Sequence, residues 1–473
     1  MLPARHQMRG DAAIHYDVLE LITQWCDVRT LLELCLTSRD ARHAAVPLLY
    51  REVSIDVRRG PAAEAVMLAL VSQPRICLFV QVFRCRGYLE PDETSVLLQL
   101  VRMALQQMPR LQVLDLGRCF VSLVEIDEDF SMSRAITKMP SLDTVHFGNM
   151  VEKANALLSG LRPMRRIAFQ YHVQDSDDSG WTGISALLHN SRETLTMLDV
   201  SSWVDLGAVI GSADAQWLSV THLTVDNPSV ALSTRFPNVT SIRLCGGGVA
   251  DISLLLDPDV FPALTAVQLP GVGHHQLHDG LVPRELQHVT LSLGWGEFPH
   301  LEYFASPEHL TSLHLYRKWP GEGSYFALEQ LFTSIAGAFP NLHYLGITFL
   351  VNADGSANKH GLLRGMAGRG PTMRQLRVLS VRSAADIDFT SYEQLRLRRD
   401  VENTFPELEL AELNFNGVIT HWAWYRVLHH VHSFYDIARR APDNESRDFA
   451  SDIPVRPHCV ECLDFQRNAP NMR

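Results

Sequence analysis

The stretch "PRLQVLDLGRCF" at residues 109–120 and its distant copy "PNLHYLGITF" at 340–349 share one frame: a leucine followed by apolar residues three and five positions later, with a proline two residues ahead. The frame returns at Leu142 (with Val145 and Phe147), Leu195 (Leu198, Val200), Val239 (Ile242, Leu244), Leu264 (Val267, Leu269), Leu310 (Leu313, Leu315) and Leu376 (Leu379, Val381). Weaker copies start at Met164, Val220, Leu286 and Leu410. Within each frame the last two apolar residues alternate as in a strand and point to one side, while the residues between them point to the other. Between frames the apolar residues change to helical spacing, as in Val96, Leu97, Leu100, Val101, Ala104 and Leu105 before Pro109, or Leu328, Leu331, Phe332, Ile335 and Ala336 before Pro340. Proline suits the junction because it cannot extend the helix and holds the preceding residue extended.

A single helix-and-strand unit buries too little apolar surface to offset the entropy of ordering it. Each unit must stack on its neighbours, whose backbones complete its hydrogen bonds. Successive frames start 19 to 34 residues apart, in and slightly above the range of leucine-rich repeats. The expected fold is therefore α/β, with a helical module over residues 1–55 and a degenerate leucine-rich-repeat solenoid over 56–418. That solenoid should curve, with parallel strands on its concave side and helices on its convex side. Trp424, Val427, Leu428, Val431, Phe434 and Tyr435 predict a capping helix over 419–441, and residues 442–473 read as a loosely held polar tail. The asparagine that often follows the frame in such repeats is largely absent, so the loops must find other hydrogen-bond partners.

Apolar residues make up 46% of the 473 and charged residues 20%, as in an ordinary folded protein. The net charge of −11 argues against a nucleic-acid grip, which needs clustered Lys and Arg. The eight cysteines mostly sit inside apolar runs and read as reduced core residues. With no secretory signal in Arg5, His6, Arg9 and Asp11 and no unbroken apolar span, a cytoplasmic or nuclear location is expected.

The first fifty residues follow a different pattern. Asp17 and Glu20 suit a helix start with Val18, Leu21, Ile22 and Trp25 as its stripe. Asp27 precedes a second short helix (Val28, Leu31, Leu32, Cys35), and Ser38 can cap a third carrying Ala41, Ala44 and Ala45 up to Pro47. Three short helices make a thin core that must lean on something else. The run "IHYDVLELITQWCDVRTLLELCLTSRDARHAAVPLLYREVSI" resembles the F-box of fungal F-box proteins, most closely at Pro47-Leu48-Leu49-Tyr50-Arg51-Glu52-Val53, with His15 standing where the family has proline. The resemblance implies that the module binds a Skp-type adaptor, and through it a cullin ubiquitin ligase, while the repeats hold a target protein. On that resemblance the adaptor face and module core fall on Ile14, Val18, Leu19, Ile22, Leu31, Leu32, Leu36 and Leu49, two roles that the sequence does not separate. The alternative is a repeat scaffold or inhibitor unconnected to ubiquitin.

The outward positions of the central frames are rich in His, Tyr and Arg. Tyr and Arg favour interfaces because they combine contact area with hydrogen bonding, so the target surface is expected around Arg243, His288, His314, Tyr316 and Tyr344. His274, His275 and His278 lie among glycines that would not fix a metal, and Cys459 and Cys462 supply only half of a zinc knuckle. The glycines at 361, 365, 368 and 370 lack the Gly-Lys-Ser/Thr ending of a phosphate loop. No hydrolase, metalloprotease or dinucleotide motif occurs, so neither enzymatic activity nor a cofactor is expected.

Overall fold

The structure is a computed structural model that describes residues 16–87, 95–148, 153–170, 181–201, 206–210, 215–245, 253–269, 284–293, 306, 308–318, 334–350, 373–383, 391–405, 407–415, 418–423, 426–427, 430–431 and 439–440. It divides into two units, residues 1–226 with 234–237, and residues 227–233 with 238–473.

The first unit opens with α1 (Tyr16–Thr23), α2 (Val28–Thr37) and α3 (Arg39–Leu49). Asp27 caps α2 by accepting the Thr30 N–H at 2.8 Å, and Ser38 caps α3 by accepting that of Ala41 at 3.1 Å, as the sequence implies. Seven strands follow, each parallel to the next: β1 (Glu52–Asp56), β2 (Val82–Arg86), β3 (Val113–Gly117), β4 (Thr144–Phe147), β5 (Arg166–Gln170), β6 (Met197–Ser201) and β7 (His222–Val225). Between them run α4 (Gly60–Ser72), α5 (Pro74–Cys77), α6 (Ser95–Leu105), α7 (Cys119–Ile126), α8 (Ser131–Thr137), α9 (Ala154–Gly160), α10 (Trp181–Asn190) and α11 (Leu206–Ile210). Helix packs on helix in chain order, α4 on α6, α6 on α8, α8 on α9, α9 on α10 and α10 on α11.

The apolar residues of every frame in this unit are buried, including Leu111, Leu114 and Leu116 at 0% exposure. Two rungs precede those the frame reveals. In β1 the inward residues are Val53 and Ile55, and in β2 Phe83 and Cys85 follow Val80, all buried. Val, Phe and Cys in place of leucine hide that second frame. In α6 the buried face is Leu97, Leu98, Val101, Ala104 and Leu105, whereas Val96, expected inside, is exposed.

The second unit repeats the arrangement. Its α12 (Val230–Arg235), shared with the first unit, precedes β8 (Ser241–Leu244), α13 (Ser253–Leu256), β9 (Ala266–Leu269), β10 (His288–Leu293), β11 (Ser312–Lys318), β12 (Tyr344–Leu350), β13 (Val378–Ser383), α14 (Ser391–Thr404) and β14 (Leu410–Phe415). Strands β8 to β14 pair in parallel and in order. Phe261, Phe339 and Phe405, each just ahead of a proline, are buried where one repeat hands over to the next. Register sets the last frame at Leu408, Ala411 and Leu413 rather than at Leu410, because Leu379 pairs with Ala411 and Val381 with Leu413. Alanine at the middle position disguises it.

The helix expected over 419–441 is corrected by the structure. Residues there form β15 (Val418–Ala423), which pairs antiparallel with β14, and short strand pieces beyond it. The last parallel strand of a ladder presents unpaired N–H and C=O groups along its edge. An antiparallel strand of β-branched and aromatic residues, Val418, Ile419, Thr420 and Trp422, satisfies them in a way a helix cannot.

The hydrogen bonds that an asparagine ladder would supply come from isolated side chains. Buried Arg284 donates from its guanidinium to the carbonyls of Leu255, Asp257, Phe261 and Leu264. In the first unit, buried Asp127 accepts from the backbone N–H of Met132 at 3.0 Å and of Ser133 at 2.9 Å and from the Ser133 hydroxyl at 2.7 Å. The Trp217 indole N–H reaches the Leu188 carbonyl at 3.0 Å.

Candidate functional site

Two surfaces stand out, one in each unit. The first is the helical module. Among the described residues its core is Leu31 with Thr23, Ala41, Ala44 and Ala45, three of the five being alanine. So small a core leaves larger apolar side chains outside. On α1 and just past it, Val18, Leu21, Ile22 and Trp25 recur at i, i+3, i+4 and i+7, and all are exposed, Trp25 at 72%. On α2, Val28, Leu32 and Leu36 recur every four residues and are exposed too, Leu36 at 89%. Helical stripes of this kind normally face a core.

The structure thus separates exposed from buried residues within the set that the sequence left joined. Val18, Ile22, Leu32 and Leu36 face solvent, Leu31 is core at 5% exposure, Leu19 and Leu49 are half-buried, and Ile14 lies outside the described residues. Leu21, Trp25 and Val28 join the exposed set without having been expected there. Their exposure could not be read from spacing, since a stripe looks the same whether or not something covers it.

The second surface is the face of the sheet in the second unit opposite its helices. Parallel register aligns Arg243, Gln268, Thr290, His314, Gly346, Ser380 and Glu412 in one row across β8 to β14. Tyr316, Thr348 and Arg382 share the row beyond it, and His288, Ser312 and Tyr344 the row before. Gly346 shapes the centre. A Cβ there would lie 2.6 Å from His314 Nδ1 and 2.7 Å from the Tyr344 hydroxyl, so only glycine lets both side chains lie over β12.

His314 stacks on Tyr316 with ring centroids 4.7 Å apart and lies 6.3 Å from the Tyr344 ring. Its Nε2 sits 3.0 Å from the Thr348 hydroxyl. At 8% exposure it is buried on what is nominally the open face. Burial, helped by the charge of Arg382, pulls its pKa down to about 4, so the ring is neutral at physiological pH. Burial also raises the Tyr316 pKa, against a downward pull from Arg382 and Arg243 whose charges reach its hydroxyl. Arg382 is bound to Glu412, with Nε at 3.0 Å and the second contact at 2.9 Å. The Ser380 hydroxyl is buried without a hydrogen-bond partner among the described residues.

Of the residues expected on this surface, His314, Tyr316 and Tyr344 form one cluster. Arg243 lies in the His314 row and acts on Tyr316 through its charge. His288 shares a register row with Tyr344, and burial lowers its pKa although it keeps an exposed edge. Thr348, Arg382 and Glu412 belong to the cluster and were not singled out beforehand.

The sheet face of the first unit has a different character. Arg84 pairs with Glu52 across β1 and β2, and His146 Nδ1 lies 2.9 Å from Asp115 across β3 and β4. Among the described residues no group of three or more His, Cys, Asp or Glu is placed to hold a metal, and no helix is long and apolar enough to cross a membrane. His274, His275, His278, Cys459, Cys462 and the glycines from 361 to 370 lie outside the described residues.

No family model matches the chain, and no curated protein matches it. Among solved structures it is similar to that of a TLR13–ssRNA13 complex, at 13% identity and a TM-score of 0.31, over 71% of this chain. The matched part is 56% of that chain. So slight a likeness carries nothing further, and the repeat fold rests on the strand register itself.

Proposed function

We propose that this protein is a target-recruiting subunit of a ubiquitin ligase. Its F-box-like module docks on a Skp-type adaptor and thereby a cullin, and the sheet face of its repeats holds the protein to be modified. It works by proximity and catalyses nothing itself; the chemistry belongs to other subunits. The observation that carries this reading is the pair of exposed apolar stripes, Val18, Leu21, Ile22 and Trp25 on and just past α1 and Val28, Leu32 and Leu36 on α2, in the segment whose sequence resembles an F-box.

Contiguous exposed apolar surface marks interaction sites. Burying a large apolar side chain contributes roughly 1.5–3 kcal/mol, and association costs about 4–15 kcal/mol in lost freedom. All seven residues together would contribute roughly 10–21 kcal/mol, which meets or exceeds most of that range, whereas two or three contribute only about 3–9 kcal/mol. A pull-down of the full chain with a purified Skp-type adaptor tests the reading: stoichiometric retention is expected, and no retention overturns it. In that event the second reading holds, a repeat scaffold or inhibitor unconnected to ubiquitin, which the parallel ladder supports equally well.

A further inference from the structure

We infer that the sheet face of the second unit grips an acidic segment of a partner protein, with Arg243 and the hydroxyl of Tyr316 as the groups that meet the anion. The inference deepens the target-binding half of the reading above and rests on it only for the identity of the surface.

The charge inventory decides the sign of the partner. An aromatic cluster such as His314, Tyr316 and Tyr344 could in principle take a cation on its ring faces. Here two guanidiniums, those of Arg382 and Arg243, already act on Tyr316. Arg382 is neutralised by Glu412 at 2.9 Å. Arg243 has no carboxylate partner among the described residues. His314, held neutral by burial, adds no charge that would need compensation. The described side chains of this face therefore carry one uncompensated positive charge, that of Arg243, three strands across the sheet from the half-buried Tyr316 phenol on which it acts, in a protein whose net charge is −11. A second cation would meet like charge across a dehydrated surface, where repulsion is weakly screened. Carboxylates or phosphates would instead form a charge-assisted bond to Arg243 and accept from the Tyr316 hydroxyl, while the Tyr344 hydroxyl stays against His314 Nδ1 at 3.5 Å.

Gly346 fixes the shape to match. Because no side chain rises from β12 at that point, His314 lies flat over it and stacks on Tyr316, holding the phenol in place. A rigid, partly desolvated aromatic anchor on one face with a single free charge is the usual make-up of an energetic centre in a protein interface.

The test measures fluorescence anisotropy of labelled twelve-residue peptides titrated with the full-length protein. Three peptides share one sequence except at four positions, which carry Glu, phosphoserine or Lys. The Glu or the phosphoserine peptide should bind at least tenfold more tightly than the Lys peptide, and whichever of the two binds better identifies the anion. Arg243→Glu should weaken acidic binding about tenfold, and Tyr316→Phe about threefold, with melting temperatures unchanged. Equal or tighter binding of the Lys peptide, no binding of any peptide, or acidic binding indifferent to Arg243→Glu would overturn the inference. Adaptor retention by the wild-type protein is read in parallel with its peptide binding. Its persistence alongside failed peptide binding removes only this inference, and its loss in wild type alongside intact peptide binding removes only the ligase reading.

Discussion

Helices α2 and α6 are written in the same language and used in opposite ways. Each is a short amphipathic run in the first unit, yet α6 buries Leu97, Leu98, Val101, Ala104 and Leu105 between a strand and its neighbouring helices, while α2 buries Leu31 and leaves Val28, Leu32 and Leu36 in water. The difference lies in what each has on its flanks. A repeat helix has a repeat before and after it. The module packs mainly on itself, α1 and α2 each against α3, around a core of alanines too small to cover its own leucines. Apolar stripes in the ladder stabilise the fold; those in the module are available to a partner.

That contrast is most easily broken by shrinking a buried rung. Leu114→Ala removes a fully buried side chain between two close-packed rungs and should cost about 3–5 kcal/mol, read as a lower urea midpoint. If Leu36→Ala, at 89% exposure, cost as much, the division between the regions would be wrong. Next in size is the loop clamp. Arg284→Met keeps the stem but removes the guanidinium donor from the Leu255, Asp257, Phe261 and Leu264 carbonyls, of which Asp257 and Phe261 keep the backbone N–H of Val260 and Leu264, and about 2–4 kcal/mol should be lost in the same assay.

Acid sharpens the comparison within the second unit. His314 titrates at about 4 when folded and at the ordinary 6.5 when unfolded, so between those values the unfolded chain binds more protons and stability falls as pH falls. The contribution is complete above about pH 6.5 and is lost progressively as the pH drops toward 4. From neutral pH to about pH 5 the loss should be on the order of 2 kcal/mol, and it should shrink in His314→Gln, as paired urea titrations at the two pH values would show. Smaller still, Gly346→Ala should cost about 1–2 kcal/mol, since its Cβ displaces His314 and Tyr344 at the sheet face without touching the core. A near-ultraviolet circular dichroism change from the displaced tyrosines should accompany it.

How far the sequence could be read follows from the same contrast. Rungs built of leucine at frame spacing were plain, and their buried positions came out as expected from Leu111 to Leu376, with one register shift, at Asp115–Gly117 between β3 and β4. Where other residues stand in the frame the periodicity is muted: Val80, Phe83 and Cys85 concealed β2, and Ala411 shifted the apparent start of the last frame to Leu410. The capping helix was misread because Trp424, Val427, Leu428 and Val431 also fall at helical spacing. The better signal was Asn416-Gly417 between two runs of strand formers, the dipeptide that most favours a two-residue hairpin. In the candidate site, alternation alone put His314, Tyr316 and Tyr344 on one face, but it could not report that a glycine at 346 draws them together. Nor could spacing reveal that the stripes of α1 and α2 are uncovered, because coverage is a property of the tertiary neighbourhood.

The most direct measurement is calorimetric titration of a Skp-type adaptor into wild-type protein and into the Leu32→Glu/Leu36→Glu double variant. If the uncovered stripe is the docking surface, wild type binds with a negative heat-capacity change, while the variant loses at least a hundredfold in affinity with its melting temperature within a degree or two of wild type. Equal affinity in the two proteins, or a variant that unfolds because those leucines were core after all, would contradict the account.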